Sequence, residues 1–230
     1  MACERIAVTN CALSSTACAV RIGYEGDAPI RDCAFNNLVI WDSHVGLDLI
    51  SILPEPRPGF EIKAGARIEQ IAFSDILMDR VERPIYLWMG NPAGGRFRGA
   101  IRGVSFSDVT ASGAASSCLV GAEERWAEDI ELRHVRLNLL RGRMPAVPDE
   151  LDVWARTPTP YGLDCRRVRG LRLADVRIAV PPGGGWRSPL RCRQIKGLDL
   201  VELRAPGPEL QAVKRLTVAG GQTDPGLARR

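Results

Sequence analysis

The chain has 230 residues, 45% hydrophobic and only 6% aromatic, with 31 basic against 27 acidic residues and a formal charge of +4. It is long enough to bury a sizeable core, and the nearly balanced charge, spread along the chain, describes a solvated surface rather than a nucleic-acid patch. No run approaches 18 apolar residues, which argues against a membrane-spanning helix, and MACERIAVTN has neither the basic region nor the apolar stretch of a signal peptide.

One template recurs from the first residues onward: apolar, two residues, apolar, one residue, apolar, one residue, Asn or Asp, apolar. Cys3, Ile6, Val8, Asn10 and Cys11 open it, and IRDCAFNNLVIWDS, beginning at Ile30, states it in full. Ile68-Glu69-Gln70-Ile71-Ala72-Phe73-Ser74-Asp75-Ile76 and Ile101-Arg102-Gly103-Val104-Ser105-Phe106-Ser107-Asp108-Val109 repeat it closely. Looser copies run through Ile130, Leu132, His134 and Val135, then through Val168, Leu171, Leu173, Asp175 and Val176, and end at Ile195, Leu198, Leu200 and Val213, Leu216, Val218. Phe35, Phe73, Phe106, Leu132 and Leu173 lie 38, 33, 26 and 41 residues apart. Self-similarity at such a period marks a repeat architecture.

Within each copy the period is two, with β-branched and aromatic residues on one side, which predicts strands. The Asn or Asp after each apolar run suits a tight bend, because its side chain bonds nearby backbone and tolerates left-handed geometry. His134 takes that bend position in its copy. Strand, bend, strand and loop, with inward residues stacked from copy to copy, predict an all-β, right-handed single-stranded parallel β-helix (a solenoid) of about six to eight coils, incomplete at its N-terminal end. An antiparallel sandwich is the competing fold, but sandwich strands do not ordinarily share one template.

A second, shorter strand series alternates with the first: Cys18–Gly23, Gly46–Ile50, Ile85–Gly90, Cys118–Gly121, Gly162–Cys165 and Pro189–Cys192. Alignment on Val20, Leu47, Leu87, Cys118, Leu163 and Leu190 as inward residues predicts an outward row of Arg21, Asp48, Trp88, Leu119, Asp164 and Arg191. Rungs of a parallel sheet lie about 4.8 Å apart, so Arg21 beside Asp48 is expected as an ion pair on an exposed face, with Trp88 next to it. A carboxylate and a guanidinium fix sugar hydroxyls or uronate carboxylates, and an indole face stacks on a pyranose ring. Arg21, Glu25, His44, Asp48 and Trp88 are therefore the candidate substrate-binding residues, with Tyr24 and Asp42 in the flanking turns; the bland alternatives are a surface ion pair and a loop histidine. The seven cysteines form no CxxC pair and no metal-ligand spacing, and Cys118, Cys165 and Cys192 read as buried core thiols. No metal and no cofactor is expected.

RIAVTNCALSSTACAVRIGYEGDAPIRDCAFNNLVIWDSHVGLDL, IEQIAFSDILMDRVERPIYLWMG, IRGVSFSDVTASG and the later YGLDCRRVRGLRLADVRI, WRSPLRC and IKGLDLVEL carry a family likeness. Over roughly residues 3 to 218 the chain resembles the C-terminal part of a polygalacturonase-like protein of glycoside hydrolase family 28, in the pectin-lyase-like superfamily. That resemblance implies hydrolysis of pectic galacturonans or rhamnogalacturonans by a pair of carboxylates, with a uronate-type polysaccharide or oligosaccharide as partner and neither nucleic acid nor membrane. It also implies an Asn-Thr-Asp motif and an Asp-Asp pair ahead of NCALSS, a Gly-His-Gly motif at Ala17-Cys18-Ala19 and an Arg-Ile-Lys motif at Asp48-Leu49-Ile50. The sequence has none of these, so the resemblance assigns no catalytic residue. The chain is expected to be a fragment lacking the catalytic aspartates, or else a non-catalytic carbohydrate-binding or structural module. The other enzyme reading, a lyase using Ca²⁺ held by clustered carboxylates, suits a row that pairs Asp with Arg poorly.

The β-helix is expected to fill residues 1–219, with a Pro-rich insertion around 141–160 and a frayed tail over 220–230. Its uncapped first coil would expose strand edges and invite self-association. Compartment stays open.

Overall fold

A computed structural model describes residues 1–24, 26–55, 58, 62–141, 159–183, 185–205 and 207–219. Residues 142–158 of the Pro-rich insertion expected around 141–160, the tail from 220 and Glu25 lie outside them. Thirteen strands occur among the described residues: β1 (Cys3–Glu4), β2 (Ala7–Ser14), β3 (Cys18–Gly23), β4 (Pro29–Trp41), β5 (Val45–Ile52), β6 (Arg67–Asp79), β7 (Arg83–Gly90), β8 (Ala100–Gly113), β9 (Ser117–Val120), β10 (Ala127–Leu139), β11 (Tyr161–Ala179), β12 (Ser188–Val201) and β13 (Glu209–Ala219). No helix occurs among the described residues, so none is long and apolar enough to cross a membrane.

Among the described residues every strand pairing is parallel. Long strands stack on long strands, in the order β1 and β2, then β4, β6, β8 and β10; short strands stack as β3, β5, β7 and β9. The two ladders meet in β11, whose first residues continue the short ladder and whose remainder continues the long one, and β12 and β13 follow it. The copies align as the template predicts: Phe35 faces Phe73, Phe73 faces Phe106, Phe106 faces Leu132, and Leu132 faces Leu173.

The template has a backbone cause. Asn10, Asn37, Asp75, Asp108, His134 and Asp175 all have left-handed φ, between 47° and 58°. A second left-handed position lies five residues earlier in each copy, at Arg5, Asp32, Gln70, Gly103, Asp129 and Gly170. A left-handed residue turns the strand and resets its alternation. Apolar residues two apart therefore share a face within a segment, and residues three apart, such as Ile30 and Cys33 or Phe35 and Leu38, share it across a bend. The inner face stacks aliphatic rows around Phe35, Phe73 and Phe106, whose rings lie 5.0 and 5.2 Å apart. Cross-strand stacking of like residues is what holds such a ladder in register.

Candidate functional site

The short ladder carries the candidate residues, and its register corrects their arrangement. Arg21 does face Asp48, but Asp48 faces Tyr86, while Trp88 sits opposite Ile50. Tyr86 in turn faces Cys118, Cys118 faces Asp164, Asp164 faces Arg191, and Arg191 faces Glu209. The outer row is therefore Arg21, Asp48, Tyr86, Cys118, Asp164, Arg191 and Glu209. Leu87 and Leu119 point into the main core, whereas Cys118 joins a second cluster with Ile50, Tyr86, Trp88 and Val120. Period two fails as a guide here because β5 and β7 are buried on both faces.

Burial is the second correction. The row was expected on an exposed face, yet Asp48 is 1% exposed, Trp88 7% and Asp164 0%. Charges there must be paired. Arg21 donates from Nε to Asp48 Oδ2 at 2.8 Å, and the Cys18 thiol reaches the same oxygen at 2.9 Å. Arg21 Nη2 donates to Cys18 Sγ at 2.8 Å, and its guanidinium lies 5.0 Å above the Tyr24 ring. Burial pushes the Arg21 pKa down, but the Asp48 carboxylate more than offsets this and holds it above its ordinary value. Asp48 Oδ1 has no hydrogen-bond partner among the described residues. Further along, Arg191 grips Asp164 bidentately at 2.9 and 2.7 Å and stacks 4.0 Å from the Tyr161 ring.

His44 is not brought to this row. It precedes β5 and bonds through Nδ1 to Glu82 Oε2 at 2.6 Å, four residues and so about 13 Å along the strand from Asp48. Asp42 is held by Arg80 at 2.8 and 3.2 Å. The two buried carboxylates of the outer row, Asp48 and Asp164, stand three rungs and so about 14 Å apart, counting about 4.8 Å per rung. Acid and base of an inverting glycosidase work at about 6.5–9.5 Å. As placed, these two cannot share one glycosidic bond.

Trp88 lies instead on a cleft of about 380 Å³ beyond the C-terminal ends of the short strands, with Asn91, Glu123, Glu124, Arg166, Arg167 and Arg193. Arg167 donates to the Gly121 carbonyl at 2.7 Å, and burial, together with the charges of Arg166 and Arg193, pulls its pKa down. The cleft thus carries three arginines and two glutamates, a formal net charge of +1.

Two further clefts adjoin it. One of about 370 Å³ shares Glu124 and includes Arg125, Trp126, Arg169 and Lys196, with Lys196 Nζ 4.6 Å above the Trp126 ring. The next, of about 560 Å³, shares Arg102 and Arg125 and adds Arg67, Arg98 and Glu69. Its rim is fixed by Asp27, which accepts the backbone N–H groups of Lys63, Ala64 and Gly65; burial raises the Asp27 pKa, and these three bonds reverse the shift and hold it low. Sequence reading missed Arg67, Arg98 and Arg125 because they lie at strand starts or in loops, outside the inner face of the template. The Arg166-Arg167 doublet was the one visible signal, two arginines entering a left-handed position at φ 54°.

Among the described residues no group of His, Cys, Asp or Glu converges to hold a metal ion. No family model matches the chain, and no curated protein matches it either.

Proposed function

We propose that the chain is a right-handed parallel β-helix of the glycoside hydrolase family 28 type that holds an acidic, uronate-type oligosaccharide without cleaving it. The fold part of this reading is supported by the two left-handed bends per copy, by the unbroken parallel register, and by the strong preference of parallel crossovers for the right hand. The binding part rests on one observation: Arg166, Arg167 and Arg193 crowd one cleft beside Trp88, where burial, and after it the charges of Arg166 and Arg193, lowers the Arg167 pKa. A carboxylate entering there relieves that repulsion and gains charge-assisted hydrogen bonds, while Glu123, Glu124 and Asn91 can accept sugar hydroxyls.

The non-catalytic part is supported by Cys18 and Asp48, which stand where the resemblance requires a histidine and basic residues. It is also supported by the engagement of Asp48 and Asp164 with arginine and by the distance between them.

Calorimetric titration with oligogalacturonate, alongside a reducing-sugar assay, tests both halves. Binding without release of reducing ends is expected, and Arg167→Gln should weaken it about tenfold, as for one lost charge-assisted contact. Reproducible turnover by purified protein would overturn the non-catalytic half. Unchanged affinity in both Arg167→Gln and Arg193→Gln would overturn the placement of the ligand.

A further inference from the structure

The cleft of about 560 Å³ at the starts of β6 and β8 shares no lining residue with the one beside Trp88. Arg67, Arg98, Arg102 and Arg125 line it against two carboxylates, Asp27 and Glu69, a formal net charge of +2. Both carboxylates are committed: Asp27 accepts three backbone N–H groups, and Glu69 holds Arg102 at 3.0 Å. Arg102 belongs to an outer row of the long ladder that runs Glu69, Arg102, Glu128, Arg169, Lys196 and Lys214, and Arg169 in that row likewise has Glu128 at 2.9 Å. Arg67, Arg98 and Arg125 stand outside it. Among the described residues none of these three has a hydrogen-bond, ion-pair or ring partner.

Their backbones are pinned although their side chains are exposed. Arg67 is the first residue of β6, and Arg98 and Arg125 stand two residues ahead of β8 and β10, so the three enter from consecutive coils about 10 Å apart from first to third. The Ala64 carbonyl accepts the N–H groups of Arg98 at 2.7 Å and Gly99 at 2.9 Å. The buried Phe97 ring lies against Gly65, where it leaves no room for a side chain, and Asp27 holds Lys63, Ala64 and Gly65 from the other side. Three like charges are thus held around one concave space. An anion entering it relieves their repulsion, and the fixed backbone keeps the ordering cost of binding low.

We propose that this cleft binds a phosphoryl group, as inorganic phosphate or as a phosphate monoester. Such a group carries a charge of about −1.5 to −2 at pH 7, which matches the +2 of the cleft. A single uronate carboxylate carries only one negative charge and matches the +1 of the cleft beside Trp88. Geometry favours the same partner. Each guanidinium is a planar fork that suits phosphate oxygens bidentately, and a phosphoryl group offers three oxygens to three forks, where a carboxylate offers two. The two sites are separate, and neither depends on the other being occupied.

Calorimetric titration of the full chain with inorganic phosphate and with glucose 6-phosphate, at an ionic strength held constant with sodium chloride, tests this. Saturable binding of at least one of the two is expected. Tighter binding of inorganic phosphate assigns the free ion, and tighter binding of glucose 6-phosphate assigns an ester. Arg98→Gln and Arg125→Gln should each weaken the interaction about tenfold, as for one lost charge-assisted contact, and Arg98→Lys, which keeps the charge but loses the fork, should fall between wild type and Arg98→Gln. Both arginines are exposed, so unchanged unfolding midpoints show that the variants are folded. Arg167→Gln should leave phosphate affinity unchanged and Arg98→Gln should leave oligogalacturonate affinity unchanged, which tells the failure of one site from the failure of the other. Absence of binding at matched ionic strength overturns the inference. So does an affinity for phosphate that is the same in Arg98→Gln, Arg125→Gln and the wild type.

Discussion

The two ladders treat charge in opposite ways. The long ladder keeps an apolar face inward and sets its alternating Glu and Arg row in solvent, where Arg102 and Glu69 pair at 3.0 Å and Arg169 and Glu128 at 2.9 Å. The short ladder is buried on both faces, and its outer row seals Asp48 and Asp164 away from water with an arginine on each. Identical chemistry therefore has different energetic weight on the two sides. A charge pair in solvent exchanges one set of partners for another, whereas a buried carboxylate that loses its guanidinium has none to turn to.

The largest effect should come from breaking the buried side. Asp164→Ala leaves Arg191 and Arg166 facing each other without their carboxylate and should cost about 3–5 kcal/mol, read from urea unfolding midpoints. Replacing the pair together, Asp164→Leu with Arg191→Met, should recover only part of that loss, because the apolar pair needs no compensation but the buried Arg166 guanidinium still loses its carboxylate. A double variant as unstable as the single one would show that these charges do more than satisfy each other.

Next comes a pH effect confined to the same side. Burial pushes the Cys118 thiol up to about 11, whereas an unfolded thiol titrates near 8.5. Between those values the unfolded chain releases a proton that the folded chain keeps. Stability is therefore fully present below about 8.5 and is lost as pH rises, by up to about 1.4 kcal/mol per pH unit. Cys165, also raised by burial, adds to the slope. Unfolding midpoints measured across this window should fall more steeply for the wild type than for Cys118→Ala; parallel lines would mean that Cys118 is not shielded as its place in the row implies.

The same contrast explains what could be read from the sequence. The long ladder was legible because one face is wet: polar residues alternate with Ile71, Phe73 and Ile76, and a side-chain period of two or three then fixes the register. Even the bend residues announced themselves, since Asn37, Asp75 and Asp108 are the residue types that tolerate a left-handed backbone. In the short ladder Val45–Ile52 and Arg83–Gly90 offer apolar residues to both sides, so a slip of two residues leaves the pattern almost unchanged. The sequence accordingly puts Trp88 beside Asp48 where Tyr86 stands, a slip of two residues, and Leu119 outward where Cys118 stands, a slip of one. The Arg21–Asp48 pair survived because β3 is short and its charged residue unmistakable. The basic clefts were illegible for another reason: strand starts and loops converge on them only after folding.

A bend on the long ladder offers a smaller, sharper test. Asp75 has φ 54° and accepts a hydrogen bond from Asn36 Nδ2 at 2.8 Å. Asp75→Val places a β-branched residue in that backbone and should cost about 1–2 kcal/mol, while Asp75→Gly should be nearly neutral. Equal losses for both would assign the cost to the missing hydrogen bond and not to the backbone.

The smallest expected effect is the most telling control. Glu128→Ala removes the partner of Arg169 from the solvent-facing row, where their side chains are 38% and 57% exposed. A loss of only about 0–1 kcal/mol is expected, diminishing as salt is added. Set against Asp164→Ala, it holds the chemistry constant, a carboxylate paired to an arginine on the next rung of a parallel ladder, and changes only the water around it. A loss as large as that of Asp164→Ala would mean that the alternating row is a cooperative network running the length of the ladder. Adding a carboxylate beside the like-charged Lys196 and Lys214 at its far end should then stabilise the chain by a comparable amount.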